Sequence, residues 1–203
     1  MHINILHHAS DGGPIGIPVH VLSRAVLDRA TDASAALALL GGAQTSASSV
    51  LTIIGASSED GATAAGAELA PVGPRYVLPS PEGLYVHTNH FLDPYLAAGD
   101  REPRIGPDSY LRLDALRRAL HGRPVTDIEQ LRHLMADHSA GALSVCCHPP
   151  TRAVLGERWA TLATVALDVA AGELSVRRGG PCDEAAAWHI CSGQTPAVAV
   201  PTG

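Results

Sequence analysis

Apolar residues recur along the chain with two different periods, and these periods predict alternating blocks of strands and helices. In the first half, the apolar run INIL close to Met1 indicates a strand, and helical spacing from Pro18 indicates a helix. A second helix is expected to begin at Thr31 or Asp32, since either side chain can cap it. The turn residues Glu59-Asp60-Gly61 then join two apolar runs into a hairpin. The elements predicted in this half are strands over residues 3–6, 50–55, 62–70 and 76–78 and helices over residues 18–30 and 33–40.

The second half of the chain repeats this order, with two helices followed by further strands. A helix that begins at Asp108 or Ser109 places several leucines on one face, and the capping-box pattern Thr126-Asp-Ile-Glu129 marks the start of the next helix. Alternating residues then indicate strands that end in a hairpin. These predicted strands cover residues 143–147, 158–169 and 174–177. Sheets separated by paired helices are typical of a layered α+β sandwich, which is the fold class that the pattern predicts.

One stretch, Gly83 to Leu92 (GLYVHTNHFL), places four polar residues between two apolar runs. Its apolar residues Leu84 to Val86 predict a short strand, and the polar run His87 to His90 follows where that strand should end. Strand ends at a cleft often carry functional groups, but buried polar groups also need complete hydrogen bonding. From the residues alone, the polar run is either a structural hydrogen-bonded cluster or part of a site.

The composition is that of one globular domain, with 46% hydrophobic and 17% charged residues. We predict a domain over residues 1–182 and a poorly ordered tail over residues 183–203, where Ala, Gly, Pro and Thr replace the periodic pattern. A net charge of −6 argues against nucleic acid or an anionic membrane as a partner. Since there is also no signal peptide and no apolar run long enough to span a membrane, a cytoplasmic location is expected.

The four cysteines and eleven histidines raise the question of a metal site. No cysteine pair has CxxC spacing, and Cys146 and Cys147 are adjacent, so we expect free thiols. His87 and His90 would point to opposite faces of a strand, and no metal-binding motif accompanies them. A nucleophilic cysteine beside His148 is equally disfavoured, since neighbours along a strand point apart. We therefore expect neither a metal ion nor a cofactor.

Six segments of the chain, taken in order, resemble a known family. They are GIPVHVLSRAVLD, ASAAL, GLYVHTNHFL, SYLRLDAL, LSVCCH and ERWATLATVALD, within residues 2 to 180. Their order is similar to the C-terminal half of the isopenicillin N acyltransferase family. That family comprises acyl-coenzyme A:6-aminopenicillanic acid acyltransferases and related amidohydrolases of the N-terminal-nucleophile (Ntn) superfamily. The most specific segments are VHTNH and the strand that begins near Arg158.

The resemblance implies a four-layer αββα sandwich that performs acyl transfer or amide hydrolysis on a small-molecule amide or acyl-coenzyme A-type substrate. Catalysis in the family uses a cysteine that self-cleavage places at a chain start, where its own α-amine acts as the base. By the motif match, Asn89 is the oxyanion donor, because its amide N–H groups can stabilise a tetrahedral intermediate. Arg158 matches the family's active-site arginine, and His87 and His90 are assigned to substrate binding.

The resemblance also implies that part of the family's domain is missing from this sequence. The family's nucleophile lies upstream of the six segments, and the four cysteines here are all internal. We expect that the N-terminal strands are missing, that the remaining sheets have open edges and uncovered apolar faces, and that the chain alone is inactive. The missing half is explained by a misplaced start codon or a truncated gene, or by a split enzyme in which a separate chain carries the N-terminal half. The alternative is a non-catalytic remnant or binding module of the same fold.

Overall fold

The computed structural model describes residues 1–57, 61–149, 152, 154 and 159–193. These residues form two antiparallel sheets and several helices, with one turn of 3-10 helix over Gly141–Leu143, so the mixed α+β class is confirmed. The strands are β1 His2–Ile5, β2 Ser49–Ser57, β3 Gly61–Leu69, β4 Arg75–Val77, β5 Ala163–Asp168, β6 Glu173–Arg178 and β7 His189–Ser192. The helices are α1 Val19–Arg29, α2 Ala33–Gly41, α3 Pro94–Ala97, α4 Glu102–Ile105, α5 Asp108–Leu120 and α6 Ile128–Met135.

The first sheet has the strand order β1-β2-β3-β4, and all of its neighbours are antiparallel. Side chains alternate across a strand, so Leu51 and Ile53 of β2 point to the same face. Helices α1 and α2 cover this face with Leu22, Val26 and Leu40, and the five side chains belong to one buried cluster. The predicted helix pair therefore closes the larger apolar core.

The opposite face of this sheet packs against the segment that follows β4. Val50 of β2 lies there in a second buried cluster that includes Phe91 and Leu96. Strand β2 is thus covered on both faces, which explains why its sequence is apolar almost throughout. Glu68 of β3 is the register partner of Val50, so its side chain points to this same face, where it is completely buried.

The segment between β4 and α3 contains no strand, although all of its residues are described, so the prediction of a strand over Leu84–Val86 is wrong. Its backbone N–H groups are bound by side chains of other elements rather than by a neighbouring strand. The donors are Asn89, Phe91, Leu92 and Asp93, and the acceptors are Ser109, Asp100 and Glu68. Because these acceptors satisfy the backbone, an irregular path is stable inside the protein.

The predicted helix starts are confirmed, with one change of capping residue. Asp32 caps α2 through its side chain, as predicted. At α6 the N-cap is Asp127 rather than Thr126, and Asp127 Oδ1 accepts the Gln130 N–H at 2.8 Å. Gln130 Oε1 in turn accepts the Thr126 N–H at 3.2 Å. The capping pair is therefore shifted by one residue from the predicted pattern that ended at Glu129.

The second sheet has the order β5-β6-β7 and is also antiparallel. Strands β5 and β6 form the predicted hairpin, but β5 begins at Ala163, and Arg158, the first residue of the predicted strand, lies outside the described part. Strand β7 lies within the segment that was predicted to be a poorly ordered tail, and residues 194–203 of that tail are also outside the described part. All four residues of β7 are exposed, so backbone pairing with β6 holds the strand without an apolar pattern.

The strand predicted over residues 143–147 is replaced by the end of the 3-10 turn and an irregular segment. Gly141 begins the turn with a φ of 62°, a left-handed conformation that glycine adopts without strain. Further on, the Cys146 N–H donates to the Asp137 carbonyl oxygen at 3.1 Å. Because the backbone folds back on the residues just after α6, it cannot continue as a strand.

Candidate functional site

A buried carboxylate organises the polar run HTNH. Glu68 Oε1 lies 2.7 Å from His87 Nε2 and accepts the Leu92 N–H at 2.7 Å, while Oε2 accepts the Asp93 N–H at 3.0 Å. The other ring nitrogen of His87, Nδ1, lies 2.7 Å from the Thr88 carbonyl oxygen. Both ring nitrogens of His87 therefore lie within hydrogen-bond distance of an oxygen atom, so the ring is held on both sides.

His90 is likewise enclosed by protein groups. Its Nδ1 lies 2.9 Å from Ser109 Oγ, and its ring stacks on Tyr110 with ring centroids 3.8 Å apart. Burial lowers the pKa of His90 to about 4, so the ring is neutral at pH 7. His87 and His90 thus bind protein groups in this structure, and their assignment to substrate binding stays a prediction.

Asn89, the predicted oxyanion donor, is half-buried at the wall of a cleft. Its side-chain Nδ2 donates to the Ile5 carbonyl oxygen at 3.1 Å, and its Oδ1 accepts from Arg112 Nη2 at 3.3 Å. A guanidinium can only donate and a carbonyl oxygen can only accept, so these two partners define which way the amide points. One Nδ2 hydrogen is used by Ile5, and the described residues leave the other without an acceptor.

Helix α5 supplies the groups that hold Asn89 in place. Ser109 Oγ accepts the Asn89 backbone N–H at 2.7 Å, and the Thr88 hydroxyl donates to the Ser109 carbonyl oxygen at 3.0 Å. One turn further along the helix, Arg112 Nε binds Asp108 Oδ2 at 2.9 Å, which leaves Nη2 for Asn89. The positive charge of Arg112 beside Asn89 Oδ1 polarises the side-chain amide and makes its N–H groups stronger donors.

The cleft at Asn89 has a volume of about 740 Å³. One wall comes from the residues around α4 and α5, and the other from the segment after the 3-10 turn together with residues 159–161. Its polar and aromatic lining includes Asn89, Glu102, Arg112, Cys147, His148 and Trp159. A cleft of this size with a few convergent polar groups suits a small organic ligand.

Glu102 is the buried carboxyl group of this cleft. Burial raises its pKa, and the nearby carboxylates of Asp100 and Asp108 act in the same direction, while His7 and Arg112 oppose the shift. His7 Nε2 lies 4.0 Å from Glu102 Oε2. A carboxyl group with a raised pKa exchanges its proton closer to neutral pH than an ordinary glutamate, so Glu102 is a candidate proton donor or acceptor.

The cysteines are all free, as predicted, but they lie in different surroundings. Cys147 lines the cleft, and its Sγ lies 3.3 Å from the Ala142 carbonyl oxygen. Cys146 is completely buried, and burial raises the pKa of its thiol, which favours the unreactive protonated form. Its Sγ lies 3.5 Å from His148 Nε2, so the expectation that these two side chains point apart is wrong, because the segment is not a strand.

Arg158, the predicted active-site arginine, lies outside the described residues. Its described neighbour Trp159 is exposed and lines the cleft. The role of Arg158 therefore stays a prediction.

The described residues thus combine a mixed α+β fold with an oriented side-chain amide in a cleft. The chain matches the model of the acyl-coenzyme A:6-aminopenicillanic acid acyl-transferase family over residues 1–183, and it belongs to that family. The resemblance found from the six sequence segments is thus confirmed. No curated protein matches the chain. Among the described residues, no helix has the length and apolar content needed to cross a membrane.

Sequence reasoning identified Asn89 but missed the groups that orient it. Ser109 was recognised only as a helix start, although its hydroxyl and carbonyl both bind the HTNH run. The spacing of Asp108 and Arg112, four residues apart at the start of a helix, was a usable signal, since such pairs face each other. Glu102 gave no signal, because it lies in a stretch whose prolines and charges indicate a loop.

Proposed function

We propose that this chain provides the oxyanion-stabilising side of an acyltransferase or amide-hydrolase site, with Asn89 Nδ2 as the donor. The observation that supports this proposal is the fixed amide of Asn89, bound by Arg112 at its oxygen and by Ile5 at one hydrogen. The remaining hydrogen is available to a ligand in the cleft. Acyl transfer through a tetrahedral intermediate places negative charge on the former carbonyl oxygen, and a donor that is already oriented stabilises that charge without reorganisation.

The buried groups behind Asn89 act as positioning residues in this proposal. Glu68 and His87 fix the irregular segment, and Ser109 binds the Asn89 backbone directly. His90 packs between Ser109 and Tyr110 and completes the support. Support of this kind matters because an oxyanion donor must be held close to its productive geometry.

The nucleophile is proposed to come from outside residues 1–203, either from sequence joined to this chain or from a separate chain that carries the N-terminal half. The four cysteines of this sequence are internal, so none of them carries the free α-amine that serves as the base in the family mechanism. In the described part of the first sheet, β1 and β4 are edge strands to which further strands can add. Such an addition would extend the first sheet towards the size expected in the Ntn sandwich that the resemblance implies.

The proposed substrate is a small-molecule amide or an acyl-coenzyme A-type thioester. A guanidinium at Arg158 would anchor a substrate carboxylate or favour the thiolate of the nucleophile. Burial raises the pKa of Glu102, and its carboxyl group would exchange a proton with the leaving group.

The test measures turnover of a panel of thioesters and amides by two proteins, the 203-residue chain and a polypeptide extended by the coding sequence upstream of Met1. We expect turnover by the extended protein alone. Asn89→Ala in that protein should lower kcat by about 10²–10³-fold with a small change in KM. Gln44→Ala, which removes an exposed amide far from Asn89 in sequence, is the matched control and should leave kcat unchanged. Unchanged kcat in Asn89→Ala would contradict the oxyanion role.

The second candidate function is a binding module of the same fold. It is favoured by the state of the thiols, since Cys146 is buried with a raised pKa and Cys147 is bound to a carbonyl oxygen. Under this alternative, neither protein turns over any acyl substrate, while acyl compounds still bind to the cleft and Asn89→Ala weakens their binding. Calorimetric titration of the same panel of compounds therefore separates the two functions.

A further inference from the structure

Four metal-ligating side chains converge at one point of the molecule. The ligand atoms of His138, Cys146, His148 and Cys182 all lie within 4.8 Å of one another. His148 Nε2 is the central atom, at 3.2 Å from His138 Nε2, 3.2 Å from Cys182 Sγ and 3.5 Å from Cys146 Sγ. Two thiols and two imidazoles are one of the donor sets that structural zinc sites use.

The separations fit a tetrahedral zinc ion. With Zn–S and Zn–N bonds of about 2.3 and 2.05 Å, two nitrogen ligands lie about 3.3 Å apart and a nitrogen and a sulfur about 3.6 Å apart. The distances from His148 Nε2 to the nitrogen of His138 and the sulfur of Cys146 are 3.2 and 3.5 Å. The sulfur of Cys182, at 3.2 Å from the same nitrogen, is slightly closer than the tetrahedral separation, and the remaining pairs lie within 4.8 Å, so a small adjustment would admit the ion.

Hydrogen bonding alone does not explain this arrangement. A neutral imidazole nitrogen either donates one hydrogen or accepts one, so His148 Nε2 can satisfy only one of its three neighbours. The other two close contacts then join groups with no hydrogen bond between them. A cation at the centre would instead accept a lone pair from all four atoms at once.

The ligands of the cluster come from two segments that the fold brings together. His138, Cys146 and His148 belong to the irregular segment after α6, which folds back through the bond from Cys146 N–H to the Asp137 carbonyl oxygen at 3.1 Å. Cys182 follows β6, where buried Arg132 donates to the Pro181 carbonyl oxygen at 2.6 Å. These hydrogen bonds, which involve none of the four ligand atoms, bring both segments to the same place.

Gly180 shows that the approach of the two segments is close. A Cβ atom at this position would lie 2.6 Å from Cys146 Sγ and 3.9 Å from Cys182 Sγ. Only glycine leaves this space free, since real Cβ atoms do not approach a sulfur so closely. Glycine at position 180 therefore allows the backbone to pass close to both sulfur atoms.

We propose that His138, Cys146, His148 and Cys182 bind a Zn²⁺ ion. Thiolate and imidazole ligands together select zinc over magnesium and calcium, which prefer oxygen ligands. Two thiolates balance the charge of the ion, and four protein ligands leave no open position, which is the pattern of a structural site. The ion joins the segment after α6 to the segment after β6. Because His148 also lines the cleft at Asn89, zinc fixes one wall of that cleft.

This site was not predicted from the sequence, because the spacing is unusual. Cys146 and His148 are separated by one residue, and Cys182 is far from both along the chain. Without a CxxC pair, the cysteines gave no metal-binding signal. Only the fold brings Cys182 to the other three ligands.

When Zn²⁺ binds, each of the two thiols loses its proton and becomes a thiolate ligand. One Zn²⁺ ion, two Cys–SH groups and two neutral imidazoles thus give the zinc–thiolate site and two released protons. We expect up to about two protons per bound Zn²⁺, because each thiol loses its proton when it becomes a ligand. Proton release in weakly buffered solution is therefore one readout of the chemistry, and it does not depend on any enzymatic activity.

The decisive experiment uses the full chain, reduced and freed of metal, and titrated with Zn²⁺ and Co²⁺. We expect about one Zn²⁺ per chain after gel filtration, together with the visible absorption of tetrahedral Co²⁺ and a thiolate-to-cobalt charge-transfer band. Zinc should also raise the unfolding temperature, and a chelator should reverse the shift. His138→Ala and Cys182→Ser should each abolish stoichiometric zinc and the cobalt spectrum.

Matched controls separate the site from general thiol and histidine binding. Cys191→Ser removes an exposed cysteine and His133→Ala an exposed histidine, and neither residue belongs to the cluster, so both variants should bind like the parent chain. His138 is itself exposed, so His138→Ala should fold even if a change at buried Cys146 does not. Substoichiometric zinc in the parent chain or equal zinc binding by His138→Ala would overturn the proposal.

Discussion

Arg112 Nη2 lies 3.3 Å from Asn89 Oδ1, while Nε of the same guanidinium binds Asp108 Oδ2 at 2.9 Å. The ion pair within α5 therefore holds the guanidinium in the position from which it orients Asn89. Arginine suits this task because its planar group presents separate donors to two acceptors in a defined geometry. Through Arg112, an ion pair on the surface of α5 thus determines the orientation of an amide in the irregular segment between β4 and α3.

Replacing Arg112 tests this coupling. Arg112→Met keeps most of the side chain's length but removes its donors, so the Asn89 amide would lose its orientation, and we expect kcat of the active protein to fall by about 10-fold or more. Arg112→Lys should recover little, because one ammonium group cannot bind Asp108 and Asn89 in the same geometry. Steady-state kinetics of the extended protein provide the measurement.

The control for this experiment lies on the same helix. Arg118 pairs with Asp114 at 2.9 Å with the same spacing, but both side chains are exposed. Arg118→Met should therefore leave kcat and the unfolding free energy nearly unchanged. Equal losses of activity in Arg112→Met and Arg118→Met would show that the effect comes from the helix surface and not from Asn89.

The buried pair of Glu68 and His87 should be important for stability. Glu68 is 0% exposed and binds His87 and two backbone N–H groups, so Glu68→Ala leaves His87 Nε2 and both N–H groups without their partner inside the protein. We expect the free energy of unfolding to fall by roughly 3–5 kcal/mol, as for other broken buried pairs. Urea unfolding followed by circular dichroism measures the change. Asp114→Ala, at an exposed carboxylate, is the control, and a loss below about 1 kcal/mol for Glu68→Ala would contradict the role.

Most helices and the long strands follow from the sequence because local patterns determine them. The apolar face of α1 and the Asp32 cap of α2 are visible as residue spacing, and the continuous apolar run of β2 reflects burial on both faces. The segment containing Leu84–Val86 could not be predicted in the same way. Its shape depends on acceptors that lie far away in sequence, such as Glu68 and Ser109.

The candidate site was predictable only in part, for the same reason. Asn89 stands in a motif that a family resemblance can identify, but its orientation comes from Ile5 and Arg112, which no local pattern connects to it. The cluster of His138, Cys146, His148 and Cys182 was even less predictable, because its side chains come from two segments that meet only in the folded chain. Periodicity and spacing along the chain do not encode contacts between residues that are distant in sequence.

Acid should destabilise the protein through His90. Burial lowers the pKa of His90 from 6.5 to about 4 in the folded state, so the folded state disfavours the charged ring. The stability that depends on neutral His90 is fully present above pH 6.5 and is lost as the pH falls towards 4. A difference of this size corresponds to roughly 3 kcal/mol over that interval. The charged neighbours Asp100 and Glu68 act against the shift, while Arg117 and His87 reinforce it.

Urea unfolding at several pH values between 7 and 4 measures this effect. His90→Gln keeps a hydrogen-bonding side chain but does not titrate, so its stability should depend less on pH over the same interval. His133→Gln, at an exposed histidine on α6, should keep the pH dependence of the parent chain. The same slope in His90→Gln and the parent chain would assign the acid sensitivity to other groups.

The second sheet presents an apolar face that the described residues do not cover. Val165 and Leu167 of β5 are 56% and 47% exposed, and their register partners Val176 and Leu174 point to the same face. Contiguous exposed apolar surface binds apolar ligands and promotes association. We therefore expect the chain to bind the dye ANS in its folded state, and Val165→Thr with Leu167→Thr to reduce the dye fluorescence by about half or more. Val72→Thr changes a valine that is 47% exposed but lies between β3 and β4, outside the second sheet, so it should have little effect on the dye. Equal dye binding by the double variant and the parent chain would locate the apolar surface elsewhere.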